Sequence, residues 1–76
     1  MNTMSITPLR RALLEKVRDG RVTYNQTEAS WLIDGQPVGG WGGRTLAEME
    51  RAGYIARDNA QKLSTVDITD AGVQAL

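Results

Sequence analysis

The side chains that most often carry enzymatic chemistry are scarce in this 76-residue sequence. It has no cysteine and no histidine, which often serve as covalent nucleophile and general base. Ser5, Ser30 and Ser64 have no base partner in a recognisable motif. Glu48 and Glu50 are paired carboxylates, but side chains two residues apart on a helix do not face each other. We therefore expect a protein that is not an enzyme.

The most unusual local feature is the glycine-rich run Gly39-Gly40-Trp41-Gly42-Gly43. It lacks the Lys-Ser/Thr pair that a phosphate-binding loop requires, and we expect it to be a loop or the frayed start of a helix. Because the chain has two Trp, two Tyr and no Phe, we expect Trp41 to fold back as a lid on a core short of aromatic side chains. The alternatives for Trp41 are an interface anchor or a wedge against nucleic-acid bases.

Charge is balanced overall but uneven along the chain. Nine basic and nine acidic side chains cancel, which argues against a nonspecific polyanion binder, since such proteins are usually strongly basic. Residues 8–21 nevertheless hold five basic and two acidic side chains, a local charge of +3. Any surface that faces a polyanion must therefore be a local patch.

Length and composition predict one domain with a thin core. We expect residues 1–6 to be a flexible N-terminus and residues 7–76 to form the domain. Without cysteine or histidine, disulfides and the usual zinc sites are excluded, so we expect no metal and no cofactor. No basic and apolar leader or long apolar run is present, which predicts a cytoplasmic protein with no membrane partner. With disulfides and zinc sites excluded, packing or homodimerisation must supply the stability of the folded domain.

The first third of the sequence predicts a helix followed by strands. Thr7 is a suitable N-cap, Pro8 a suitable first helical residue, and Gly20 a stop. The apolar stripe between them consists of Leu9, Ala12, Leu13 and Val17. Branched and aromatic residues then dominate positions 21–38, where Asp34-Gly35 is a strong signal for a tight hairpin. We expect two or three short strands here. A second interpretation begins a helix at Asn25 or Thr27 and ends it at Gly35.

The second half predicts helix, ribbon and helix. Thr45 and Glu48 have the spacing of a capping box, and Gly53 ends a helix near residues 44–52. Residues 54–57 and 62–68 then form a two-stranded ribbon around a turn at Asp58-Asn59. Thr69 caps a last helix over residues 70–76.

The segment RTLAEMERAGYIAR, residues 44–57, resembles the recognition helix and first wing strand of bacterial and phage winged-helix DNA-binding regulators. In that family an apolar-Thr-x-x-Gly junction leads from the wing into a helix, matched here by ITDAG at residues 68–72. The resemblance covers residues 44–76 well and is compatible with a helix over residues 8–19. It does not cover the middle, where the family usually has a second helix and this sequence has a hairpin signal. The recognition helix also differs from the usual basic one, because it contains Glu48 and Glu50.

The resemblance implies an α+β, winged-helix-like domain that regulates transcription by binding double-stranded DNA, in the order helix, short β-hairpin region, helix, two-stranded wing and C-terminal helix. The residues that it assigns to DNA binding are Arg44 and Arg51 on the recognition helix, and Arg57, Asn59, Gln61 and Lys62 on the wing. Four cations can neutralise only a few phosphates, so useful affinity would need a dimer that binds two half-sites. The competing interpretation of these charges is surface ion pairing, with Glu48 three residues from Arg51.

A second hypothesis keeps the scaffold and changes the function. Winged helices also serve as docking domains, because a fold does not fix a function. Near-zero net charge and an exposed Trp41 would favour a protein-protein interaction module, such as a phage-encoded adaptor or inhibitor of a host protein. Clustering of Arg on one face would favour DNA.

Overall fold

Three helices and a five-stranded antiparallel sheet make up the fold of residues 5–59 and 62–76, which are the residues that the structure, a computed structural model, describes. In chain order the elements are α1 (Pro8–Arg18), β1 (Val22–Asn25), β2 (Ser30–Ile33), β3 (Gln36–Pro37), α2 (Gly40–Arg51), β4 (Ile55–Arg57), β5 (Leu63–Ile68) and α3 (Asp70–Gln74). The strands lie in the order β3-β2-β1-β5-β4. The predicted α+β class is confirmed.

Helix α1 begins and ends where its sequence signals predict. The Thr7 side chain accepts a hydrogen bond from the Arg10 amide, and Gly20 follows the helix with φ of 74°. The expected apolar stripe is partly wrong, because Leu14 is fully buried while Leu9 is exposed. Leu14, next to the predicted Leu13, shares the buried face because the apolar stripe of a core-facing helix is more than 100° wide.

Strands β1, β2 and β3 form a meander, so the helical interpretation of residues 25–33 is wrong. Tyr24 lies opposite Trp31, and Ile33 lies opposite Gln36 across the second turn. Asp34 and Gly35 in that turn have φ of 54° and 79°, the positive values that a type I′ hairpin needs at both central residues. A local turn signal flanked by strand-forming residues thus outweighs the weaker helical pattern.

Helix α2 begins at Gly40, about one turn before the predicted start near residue 44. The expected capping box is wrong: the Thr45 hydroxyl lies inside the helix and donates to the Trp41 carbonyl oxygen at 2.8 Å. The glycines allow close packing in the first turn. A Cβ on Gly42 would overlap a methyl group of Val38, and one on Gly43 would lie 3.1 Å from the Val38 carbonyl oxygen.

Hydrogen bonds connect two junctions that the sequence predicted: the end of α2 at Gly53 and the beginning of α3 at Thr69. Gly53, with φ of 89°, ends α2, and its carbonyl oxygen accepts from the Thr69 hydroxyl at 2.6 Å. The Thr69 amide donates to the Tyr54 carbonyl oxygen at 3.0 Å, and the same hydroxyl caps α3 by accepting from the Gly72 amide. Helix α3 ends at Gln74, short of the predicted residue 76.

The core lies where α1 and α2 pack on the sheet. Its buried apolar residues come from both helices and from four of the strands: Leu13, Leu14, Val17, Val22, Trp31, Leu46, Met49, Ile55 and Val66. Ile6, just before α1, packs against this cluster. Burial of Leu46 and Met49 fixes the rotation of α2 about its own axis, and so decides which of its side chains face outward.

Candidate nucleic-acid interface

One face of α2 points away from the core and carries both of the arginines that the sequence assigned to a recognition helix. We call this the outer face; it consists of Trp41, Arg44, Glu48 and Arg51, all of them exposed. At about 100° per residue, positions 44 and 51 differ by only about 20° around the helix. Their Cα atoms are separated by about 10 Å along its axis, a length over which a DNA strand presents several phosphates.

Arg44 and Arg51 make no ion pair or side-chain hydrogen bond with another residue that the structure describes. The Glu48–Arg51 pair, which surface ion pairing would predict, is absent from those residues. Glu48 instead faces the groove between α2 and α1. Both guanidinium groups therefore keep their hydrogen-bond donors available for a ligand.

A shallow groove of about 290 Å³ lies beside the outer face, between α2 and the beginning of α1. It is lined by Thr7, Leu9, Arg10, Trp41, Arg44, Thr45 and Glu48. Arg10 adds a third cation here, and its guanidinium donates to the Ser5 carbonyl oxygen at 2.7 Å. The sequence analysis did not single out Arg10; the local charge of residues 8–21 was the signal that could have included it.

Trp41 does not cover the core, so the prediction of a lid is wrong. Its exposed fraction is 74%, whereas that of Trp31 is 7%. Trp31 fills the place that the lid was expected to fill, where its ring meets the edge of Tyr24 at a centroid distance of 4.9 Å. Because α2 begins at Gly40 and not at residue 44, position 41 belongs to the helix and lies on its outer face.

Arg57 occupies a different place from the other predicted cations. Its guanidinium lies 4.1 Å from the centre of the Tyr24 ring and 5.5 Å from that of Trp31. Its Nε donates to a Glu50 carboxylate oxygen at 2.5 Å. The hydrogen bond with Glu50 raises the pKa of Arg57, although partial burial opposes the shift. Since only about a quarter of its side chain is exposed, Arg57 closes the edge of the core in this structure.

A second concave surface, of about 400 Å³, adjoins the outer face at Arg51 and is lined by Tyr24, Trp31, Ala47, Glu50, Arg51 and Arg57. The charges of Arg57 and Glu50 offset each other here. Arg51 is the cation that remains without a partner among the described residues of this surface.

The predicted wing residues lie at the far end of the ribbon. Asn59 and Lys62 are both exposed, and Gln61 lies outside the described residues. Gln26, which the sequence analysis did not single out, supports this end of the ribbon. Its amide side chain donates to Ser64 Oγ at 2.7 Å and to Asn59 Oδ1 at 3.4 Å, and its backbone amide donates to the Lys62 carbonyl oxygen.

The other ion pairs of the described residues lie away from the outer face. Arg21 binds Asp34 through two hydrogen bonds, of 2.9 and 2.5 Å, which lower the pKa of Asp34 and raise that of Arg21. Arg18 pairs with Asp19 after α1. The outer face itself carries two arginines and one glutamate, so it is locally positive in a chain of zero net charge.

The comparisons with known proteins give no match: no family model, no curated protein and no solved structure matches the chain. Within residues 5–59 and 62–76, no group of three or more acidic side chains is placed to hold a metal ion. Over the same ranges no helix has the length and apolar character that crossing a bilayer requires.

Proposed function

We propose that this protein is a non-enzymatic, winged-helix-like regulator that binds double-stranded DNA through the outer face of α2. The observation that carries the proposal is the pair Arg44 and Arg51, exposed on one helix face and without an acidic partner among the described residues. Arginine donors on an exposed helix suit both phosphate oxygens and the base edges of a major groove.

The order of elements supports a winged-helix arrangement. Helix α2 leads directly into the β4–β5 ribbon, and β1 pairs with β5, so the ribbon continues the sheet on which α2 packs. The β2–β3 hairpin stands where a second helix of the motif would be expected. On this proposal the domain is a variant in which a hairpin replaces that helix.

The proposed contacts are few. Arg44 and Arg51 bind the duplex, Arg10 adds a cation at the groove, and Asn59 and Lys62 reach it from the wing. Arg57 does not contribute directly, because Glu50 and Tyr24 hold it at the core. Each phosphate that a cation neutralises contributes about one unit to the slope of log affinity against log salt concentration. Because the cations are few, a monomer binds DNA weakly. We expect the functional species to be a homodimer on two half-sites, in a cytoplasmic location where DNA is accessible.

A titration of labelled duplex DNA by fluorescence anisotropy, at several salt concentrations, tests the proposal. Replacement of Arg44 or Arg51 with Ala should weaken binding by roughly 1–3 kcal/mol. The melting temperature should change little, because neither side chain has a partner to lose among the described residues. Failure of the folded wild-type protein to bind any duplex in a salt-dependent way would refute the proposal.

Arg18→Ala is the matched control. Arg18 is exposed and pairs only with its neighbour Asp19 among the described residues. It lies about 12 Å along α1 from Arg10, at the end of α1 away from the groove. Its replacement should leave the affinity within about twofold of wild type. A loss equal to that of Arg44→Ala would show that net charge, and not the outer face, determines binding.

A further inference from the structure

Trp41 is a large apolar side chain that lies outside the core. It is 74% exposed and is not part of the core cluster or of the partly buried residues packed against it. The Thr45 hydroxyl donates a hydrogen bond to its backbone carbonyl oxygen. A single exposed apolar side chain is common on protein surfaces, so the role of Trp41 has to be argued from its neighbours.

The surroundings of Trp41 leave its ring accessible. It follows Gly40 and precedes Gly42 and Gly43, so its chain neighbours carry no side chains that could shield it. A Cβ built on Gly39 or Gly40 would meet nothing within 4 Å. A flat surface can therefore approach the beginning of α2 until it touches the indole ring.

The chemistry around Trp41 distinguishes two kinds of partner. A protein hot spot is a buried aromatic surrounded by contacts that exclude water, which requires an apolar neighbourhood. The residues that line the groove with Trp41 are mostly polar, with Arg10, Arg44 and Glu48 among them and Leu9 as the large apolar member. An aromatic ring among cations is the arrangement that binds nucleobases, because the cations hold the backbone while the ring stacks on a base.

We propose that Trp41 stacks on a base of duplex DNA and enters the duplex at a step where the bases separate easily. This inference rests on the proposed function and adds a ligand class to it: duplexes with an unpaired base or a flexible pyrimidine-purine step. Opening a base step has a free-energy cost of a few kcal/mol, and a bulge or mismatch removes most of that cost. The protein therefore prefers a duplex with one unpaired base over its fully paired counterpart.

The experiment compares two duplexes of equal length, one fully paired and one with a single bulged base, in anisotropy titrations with wild type, Trp41→Ala and Trp41→Phe. Loss of the ring should weaken binding to the bulged duplex roughly 5- to 150-fold and remove the preference for it. Trp41→Phe, which keeps a ring, should restore part of the affinity. Val73→Ala is the control, since Val73 is exposed to 53% and lies on α3.

Tryptophan fluorescence gives a second readout that does not depend on affinity. Stacking on a base quenches indole emission, and the only other tryptophan, Trp31, is buried. Wild-type emission should fall on addition of DNA, whereas the emission of Trp41→Phe, which comes from Trp31 alone, should not change.

The outcomes separate the two proposals. DNA binding that depends on Arg44 and Arg51, but shows no quenching and no loss in Trp41→Ala, would overturn the stacking and leave the proposed function intact. Absence of DNA binding by the wild type would overturn both. If Trp41→Ala instead dissociates a dimer in sedimentation, without an effect on DNA binding by the monomer, Trp41 belongs to a protein interface and the stacking is refuted.

Discussion

Gly72 in α3 is a position where a single added methyl group should disturb the fold. Helix α3 lies against the main chain of Tyr54, between α2 and β4, and the buried α-carbon of Gly72 faces the Tyr54 carbonyl group. A Cβ at this position would overlap the Tyr54 carbonyl oxygen and would lie 2.6 Å from Cγ1 of Ile68. Cγ1 of Ile68 is bonded to a branched Cβ with few χ1 rotamers, and the Tyr54 carbonyl group is backbone that already accepts from the Thr69 amide.

The size of the effect follows from two opposing contributions. Overpacking against a backbone atom falls at the upper end of the usual range, about 3 kcal/mol. Replacement of Gly by Ala inside a helix normally stabilises it by about 1 kcal/mol. Gly72→Ala should therefore lower the free energy of unfolding by about 2 kcal/mol, which for a domain of this size lowers the melting temperature by roughly 8–16 °C.

Thermal unfolding followed by circular dichroism measures this change, and Gly39→Ala is its control. Gly39 has an ordinary φ of −80° and open space where a Cβ would be, so its replacement should cost no more than about 1 kcal/mol. If Gly72→Ala is as stable as the wild type, α3 does not lie against Tyr54 as described, and the account of the Gly53 and Thr69 junctions is wrong.

Two further predictions concern ion pairs. The pKa of Asp34 is lowered by Arg21. The stabilisation by this ion pair is therefore present above the unfolded pKa of about 3.9, and it is lost as the pH falls through the lower pKa of the folded state. Asp34→Asn removes the charge but keeps a residue that tolerates positive φ. In melting curves below about pH 4, the wild type should lose stability relative to this variant. A stability difference that does not change with pH would refute the prediction. Arg57→Met removes the contacts with Glu50 and Tyr24 and should lower the unfolding free energy by about 1–3 kcal/mol in urea denaturation; an unchanged value would contradict the role of Arg57 in the fold.

The features that the sequence predicted correctly depend on residues close together in the chain. The Asp34-Gly35 turn needs only two residues that accept positive φ, and Gly53 and Thr69 mark a helix end and a helix cap by local chemistry. The shared face of Arg44 and Arg51 also follows from spacing alone, once α2 is recognised as a helix.

The features that it missed depend on contacts between distant parts of the chain. Helix α2 begins at Gly40, where Gly42 and Gly43 pack against Val38, whereas the sequence left these glycines open as a loop or the frayed start of a helix. The role of Arg57 depends on Tyr24, which reaches it only when β1 and β4 lie on either side of β5. No local pattern distinguishes an arginine on an exposed wing from one that covers an aromatic ring at the core.

The central claim, that the outer face of α2 binds duplex DNA, is tested most directly by an NMR titration of the isotope-labelled protein with a short duplex. The account predicts that the largest amide shift changes fall at Trp41, Arg44, Glu48 and Arg51, with smaller ones at Asn59 and Lys62, and that α3 and β3 are unaffected. Shift changes confined to α3 or β3, or none at duplex concentrations far above that of the protein, would contradict it.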